Sequence, residues 1–239
     1  MKMIEMKKNG FFIWACSLCL TLTAVTFTAC DVDDDNDYHL IRPTALVTVY
    51  PAEDSFTMQL DDETVLIPTN KKASPFGEKI VRALVNYIEV NGDQVQGRAA
   101  TKQHYVQVNW MDSIRTKMPV VANEAFDAEP YGDDPLEIVN DWTTVAEDGF
   151  LTLRIHTRWN PGARHDINLI SGLNPEDPDE LTLLHNAHGD TQGPLSDALV
   201  AFNLNQLWPN VTEKKNIKLK WTSFSGEKST EFSLKMHAN

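Results

Sequence analysis

The densest run of side chains able to do chemistry in this 239-residue chain is His185-Asn186-Ala187-His188-Gly189-Asp190. Imidazole nitrogens and carboxylates are ordinary zinc ligands, and His165-Asp166 could approach the run across a sheet. Strand geometry opposes such a site. Positions 185 and 188 of an extended strand point to opposite faces, so His185, His188 and Asp190 reach one ion only if the chain turns at Asn186 or Gly189. Without that turn the run is a strand end whose His and Asp side chains bond exposed backbone, and no metal or cofactor is expected. Asp31, Asp33 and Asp35 have the alternate spacing of a calcium loop, yet Asn36 stands where the sharp turn requires Gly and Arg42 where a bidentate Glu belongs. There is no Gly-x-Ser-x-Gly elbow, His-Glu-x-x-His, phosphate-cradling Gly-rich loop or paired Cys spacing. Catalysis is not expected. A hydrolase using His185 with His188, or two carboxylates, is the enzyme alternative, although no Asp or Glu pair stands out.

The clearest chemistry belongs to Cys30. Lys2, Lys7 and Lys8 precede the apolar run Phe11 to Thr28, which ends in Thr28-Ala29-Cys30. This order describes a bacterial lipoprotein signal over residues 1–29, with lipidation at Cys30. A transmembrane anchor fits less well, because the run contains Ser and Thr and stops at a small residue before Cys. Cys16 and Cys19 would leave with the signal and Cys30 would carry lipid, so no thiol remains for disulfides, nucleophilic catalysis or zinc. Each buried methylene contributes roughly 0.8 kcal/mol, so more than one acyl chain would hold the protein firmly on a membrane.

Charge excludes further classes. The chain has 21 Lys and Arg against 34 Asp and Glu, and losing three Lys and one Glu with the signal would take its formal charge from −13 to −15. Residues 119–213 hold only Arg154, Arg158 and Arg164 against 17 carboxylates. Such a surface repels nucleic acid and anionic lipid heads. From Lys214 onward the sign reverses, which reads either as the solvated faces of two strands or as an electrostatic docking edge.

The elements that must position these residues are strands. Residues 30–43 are rich in Asp and lack apolar periodicity, as suits a flexible tether. Alternation then marks Ala45 to Tyr50, Phe56 to Leu60, Ile80 to Val90 and Tyr105 to Trp110, with turns at Asp61-Asp62 and Asn91-Gly92-Asp93. Short strands at this density predict a small barrel over residues 44–118. Ser74 to Gly77 and Ile114 to Lys117 are the places for a short helical turn. Beyond a boundary near residue 119, a β-sandwich over residues 119–239 is predicted from seven strands: Leu136 to Ala146, Phe150 to Trp159, His165 to Ile170, Leu181 to His185, Leu199 to Leu204, Ile217 to Phe224 and Thr230 to Met236. Trp110, Trp142, Trp159, Trp208 and Trp221 read as core filling or, alternatively, as a sugar-stacking surface.

Read together, Phe56-x-x-x-Leu60-Asp61-Asp62-x-x-x-Leu66-x-Pro68, Arg82-Ala83-Leu84-Val85-Asn86-Tyr87 and Thr116-Lys117 resemble the N-terminal OB-like domain of NigD-like lipoproteins. Gly149-Phe150-Leu151-Thr152-Leu153, Ile167-Asn168-Leu169-Ile170, the run from Leu183 to Asp190 and Val200-Ala201-Phe202-Asn203-Leu204 resemble their C-terminal β-sandwich. Glu63 departs from the family pattern, which often has Gly there in a tight positive-φ turn. Asp31, Asp33, Asp34, Asp35 and Asp37 are similar to the Bacteroidetes-type signal that sends lipoproteins to the cell surface. Asp112-Ser113-Ile114 resembles an O-glycosylation acceptor of the same bacteria. The resemblance implies an all-β, non-enzymatic outer-membrane lipoprotein facing the cell exterior and binding a protein partner or other ligand, with bacteriocin immunity as the role attached to the family. It implies no catalytic residues. A surface glycan-binding lipoprotein is the alternative.

Overall fold

Alternating apolar side chains close the first half of the protein into a barrel. In the computed structural model, which describes residues 40–90, 102–211 and 213–237, the strands β1 (Ala45–Ala52), β2 (Ser55–Gln59), β3 (Thr64–Pro68), β4 (Val81–Glu89) and β5 (Lys102–Ser113) join in the closed order β1-β2-β3-β5-β4. Val47, Val49, Met58, Leu66, Ala83, Val85, Val106 and Val108 fill its interior. The turn before β3 is closed by a side chain. Asp61 Oδ1 accepts from the amides of Glu63 and Thr64 at 2.8 and 2.7 Å, so the positive-φ turn associated with Gly at this position is not formed. Gly77 N reaches Ser74 O at 3.3 Å in the expected turn, while Asn91-Gly92-Asp93 lies outside the described residues.

The second half forms two packed sheets, again as expected, from β6 (Arg115–Lys117), β7 (Val120–Val121), β8 (Glu137–Val139), β9 (Val145–Glu147), β10 (Phe150–Arg158), β11 (Asp166–Ser171), β12 (Glu180–Asn186), β13 (Leu195–Asn203), β14 (Lys214–Ser223) and β15 (Gly226–Lys235). One sheet has the order β6-β13-β10-β8, with β9 also on β10; the other runs β15-β14-β12-β11-β7. Leu151, Leu153, Ile155 and Phe202 of the first meet Leu169, Leu181, Leu219 and Leu234 of the second in one core. A short 3₁₀ helix, Glu129–Tyr131, lies in the connection before β8.

Two local expectations are corrected. Ile114 to Lys117 is an edge strand rather than a helical turn, because Arg115, Thr116 and Lys117 pair in parallel with Val200, Ala201 and Phe202. With Val120–Val121, which pairs with Ile170 and Ser171, this segment supplies one edge strand to each sheet. Leu136 to Ala146 is not one strand, since Asp141 turns the chain by accepting from Thr143 N at 2.9 Å and Thr144 N bonds Asp141 O at 3.1 Å.

The barrel docks on the outer face of the first sheet. The strict alternation of β1 sends Ala45, Val47 and Val49 into the barrel, while Leu46 packs with Leu84, Ile114, Leu199 and Ala201 at the junction. Beside this apolar contact Arg82 of β4 is fully buried. Its guanidinium donates to Thr48 Oγ1 at 2.8 Å, Thr152 Oγ1 at 3.2 Å and Glu147 Oε1 at 2.5 Å, joining barrel to sandwich. Next to it Asp148 accepts from Tyr50 Oη at 2.9 Å and His237 Nδ1 at 2.5 Å, and the Tyr50 and His237 rings stack at 4.3 Å. Burial, followed by the Asp148 charge, pushes the Tyr50 phenol well up, so it stays a donor. Asp148 and Gly149 have φ of 52° and 74°, the double positive φ of a tight hairpin turn between β9 and β10.

Candidate functional site: a histidine corner in the sandwich

The expected turn in the His185 run exists, and it separates the candidate ligands. Asp190 N bonds Ala187 O at 2.9 Å, with His188 and Gly189 both at positive φ. His188 is thereby thrown outward, where its Nε2 lies 2.7 Å from Asp166 Oδ2, a carboxylate also held by Arg164. Asp190 folds back the other way. Its two oxygens accept from Asn160 N at 2.8 Å and Asn160 Nδ2 at 2.5 Å, and Oδ2 also lies 3.1 Å from His165 Nε2.

His165 links Asp190 to His185. His165 Nδ1 is 2.8 Å from His185 Nε2, and His185 Nδ1 is 3.1 Å from the backbone oxygen of Asp134. A carbonyl can only accept, so His185 carries its proton on Nδ1 and offers Nε2 as the acceptor for His165. His165 then donates from Nδ1, and its Nε2 faces the Asp190 carboxylate. Burial, reinforced by the neighbouring His165, holds the His185 ring below its usual value. Asp190 is held low first by the Asn160 amide and then by His165. Trp159 stacks on His165 at 4.4 Å and donates from Nε1 to Ala163 O at 3.0 Å, which fixes the outer ring.

This chain of contacts ends at a backbone carbonyl, not at a nucleophile, and all four ring nitrogens already face a partner within the protein. Among the described residues no group of three His, Cys, Asp or Glu side chains is placed to hold an ion. What the corner does is pin the loop after β12 to the strand end before β11. Sequence spacing groups His165, His185 and Asp190 but does not join Trp159 or Asn160 to them, for which the turn at Asn160-Pro161-Gly162 is the available signal.

Most of the C-terminal lysines are met by the chain's own carboxylates, as solvated strand faces require. Lys215 pairs with Asp179 at 2.6 Å, Lys218 with Glu180 at 2.9 Å, Lys220 with Glu227 at 3.3 Å and Lys228 with Glu137 at 2.8 Å. Trp221 lies in the sandwich core and Trp208 packs against it. Trp110 donates to Leu40 O at 2.6 Å, whereas Trp142 is 55% exposed. Ser113 ends β5 on the surface. Cys30 and the Asp31, Asp33, Asp34, Asp35 and Asp37 cluster lie outside the described residues. Among those described, no helix is long and apolar enough to cross a membrane.

Residues 46–114 match the profile of the NigD-like N-terminal OB domain and residues 118–234 that of the NigD-like C-terminal beta sandwich domain. No curated protein matches the chain. Among solved structures, a Parabacteroides distasonis protein described as toxin-related is 29% identical, with TM-score 0.63, covering 80% of this chain and 92% of that one. A NigD-like immunity protein of Bacteroides caccae is 20% identical, with TM-score 0.55 and coverage of 80% and 96%. A Bacteroides fragilis protein described as a lipoprotein is 12% identical, with TM-score 0.56 and coverage of 80% and 96%. The two profiles fall in order on the barrel and the sandwich built above, and the chain belongs to the NigD-like family.

Proposed function

We propose that this chain is a non-enzymatic lipoprotein of the outer membrane, tethered through Cys30 and facing the cell exterior, that protects its cell by binding a toxic protein. The observation that carries the reading is membership of the NigD-like family over both domains. Related structures named for an immunity protein and for a toxin-related protein support it. The histidine corner favours binding over catalysis, since its proton chain reaches no nucleophile. Charge narrows the partner: a mature chain of −15 attracts and orients a cationic protein and repels acidic ones. The Arg82 junction supports a preorganised surface, because two domains joined by a buried ion pair lose little freedom on binding.

The test is expression of the wild-type and Cys30→Ala forms in a strain sensitive to cationic bacteriocins. Survival that requires Cys30 is expected, and unchanged killing across the toxin set overturns the immunity role. Trp142, beside Asp141 and Arg154 in a surface cleft of about 270 Å³, favours glycan binding as the second reading. Flat thermal-shift responses across a polysaccharide panel remove that reading.

A further inference from the structure

The open side of the sandwich carries a feature independent of the immunity reading. Between edge strand β6 and the start of β11 lies a half-open cavity of about 370 Å³, within the size range of small-ligand sites. Its floor is apolar, formed by Ile155, Ile167 and Val200. One wall is the Trp159 and His165 stack, held rigid by the Trp159 bond to Ala163 and by His165's place in the corner.

The rim is cationic in a protein that is otherwise strongly acidic. Arg115 and Lys117 pair with Val200 and Phe202, which places both on the core-facing side of β6, and Arg164 completes the rim. Arg115 is exposed and makes no ion pair among the described residues. Lys117 Nζ contacts only neutral acceptors, Ile167 O at 2.5 Å and Asn168 Oδ1 at 2.6 Å. Burial and the adjacent Arg115 both push its ammonium down from the usual lysine value, and only Asp166 acts against them. Among the described residues Asp166 is also the one carboxylate lining the cavity, and it already serves Arg164 and His188 at 2.7 Å each. The site therefore holds uncompensated positive charge above an apolar and aromatic floor. A bound anion would relieve the repulsion between Arg115 and Lys117, and the floor would cover an uncharged body.

We propose that this cavity binds a small organic carboxylate with an aromatic or alicyclic body, its charged head between Arg115 and Lys117 and its ring against Trp159. Phenylacetate serves as the probe, with 2-phenylethanol as its neutral counterpart and inorganic phosphate as an anion without a body. The full-length protein in maltoside detergent is titrated by calorimetry, and the indole N–H resonances are followed by NMR. Saturable phenylacetate binding is expected, weakened in 0.5 M salt, with the Trp159 resonance moving. Arg115→Gln removes no contact of the fold, and it should weaken binding roughly tenfold, as loss of a charge-assisted hydrogen bond does. Arg164→Gln should act in the same direction. Absence of saturable binding overturns the proposal, as does equal binding of 2-phenylethanol or of phosphate. Binding unaltered in both arginine variants, or leaving Trp159 unmoved, places the ligand elsewhere and overturns it as well.

Discussion

Replacing Arg82 by Met tests whether a buried ion pair holds the two domains together. Arg82 has no exposed side-chain surface and Glu147 only 16%. Burial outweighs the attraction of Arg82 and pushes the Glu147 carboxyl up from its usual value of 4.5. A folded-state value raised above the unfolded one means that ionising Glu147 costs stability as pH rises past 4.5, and Arg82 limits that cost. Arg82→Met leaves the carboxylate with no counter-charge, a situation that costs about 3–5 kcal/mol for a fully buried partner. The residual exposure of Glu147 argues for the lower figure, and at ~2–4 °C per kcal/mol the melting temperature should fall by about 6–12 °C at pH 7. The deficit should shrink toward pH 4.5, where protonation neutralises Glu147. Arg82→Met with Glu147→Leu removes both charges and should return to within about 1 kcal/mol of the parent, or exceed it. Urea unfolding of the three proteins at pH 7 and pH 5 decides the matter. A single-variant loss under about 1 kcal/mol, or a deficit that ignores pH, refutes the reasoning.

Other outcomes follow from the histidine corner and the tether. His185 is held below 6.5 in the fold, so the unfolded chain takes up a proton that the native ring refuses; stability should be full above pH 6.5 and decline as pH falls below it, and an NMR titration showing the ring charged at pH 7 contradicts this. Asp190→Asn keeps the shape but removes the acceptor charge facing His165, and should lower the urea midpoint in equilibrium unfolding. At Gly132, with φ 69°, an added Cβ would lie 2.6 Å from His185 O, so Gly132→Ala should cost more than about 1 kcal/mol in the same assay. Cys30→Ala should move the protein from the detergent phase to the aqueous phase in Triton X-114 partitioning.

The fold was largely legible because most strands alternate plainly. Val47, Val49, Val106 and Val108 announce a barrel interior, and Leu151, Leu153 and Ile155 a sheet face. What escaped depends on partners distant in sequence. Arg115 to Lys117 has no strand signal of its own and becomes one only because β13 lies beside it. Arg82 sits in an otherwise apolar stretch, and nothing local shows that Glu147 and Thr152 will satisfy it. The break within Leu136 to Ala146 was available in Asp141-Trp142-Thr143-Thr144, a side-chain turn that apolar counting overlooks. For the histidine corner the run itself identified the residues, but the outward throw of His188 required the positive φ at positions 188 and 189. The cationic cavity was invisible, because Arg115, Lys117 and Arg164 meet only through the packing of two sheets.

The junction between the domains also bears on the order in which the chain assembles. The barrel can close with its own strands, but until β9 and β10 arrive its docking face displays the Arg82 guanidinium and the hydroxyls of Thr48 and Tyr50 to water. A hydrated Arg82 makes that face a poor match for a greasy surface on another molecule, so a half-finished chain is protected from sticking in the wrong place. Glu147 offers the carboxylate that satisfies Arg82, and the neighbouring Asp148 is not complete until His237 has come across to Tyr50. Docking therefore finishes after β15 is in place, and it rewards one arrangement of the two domains over its competitors.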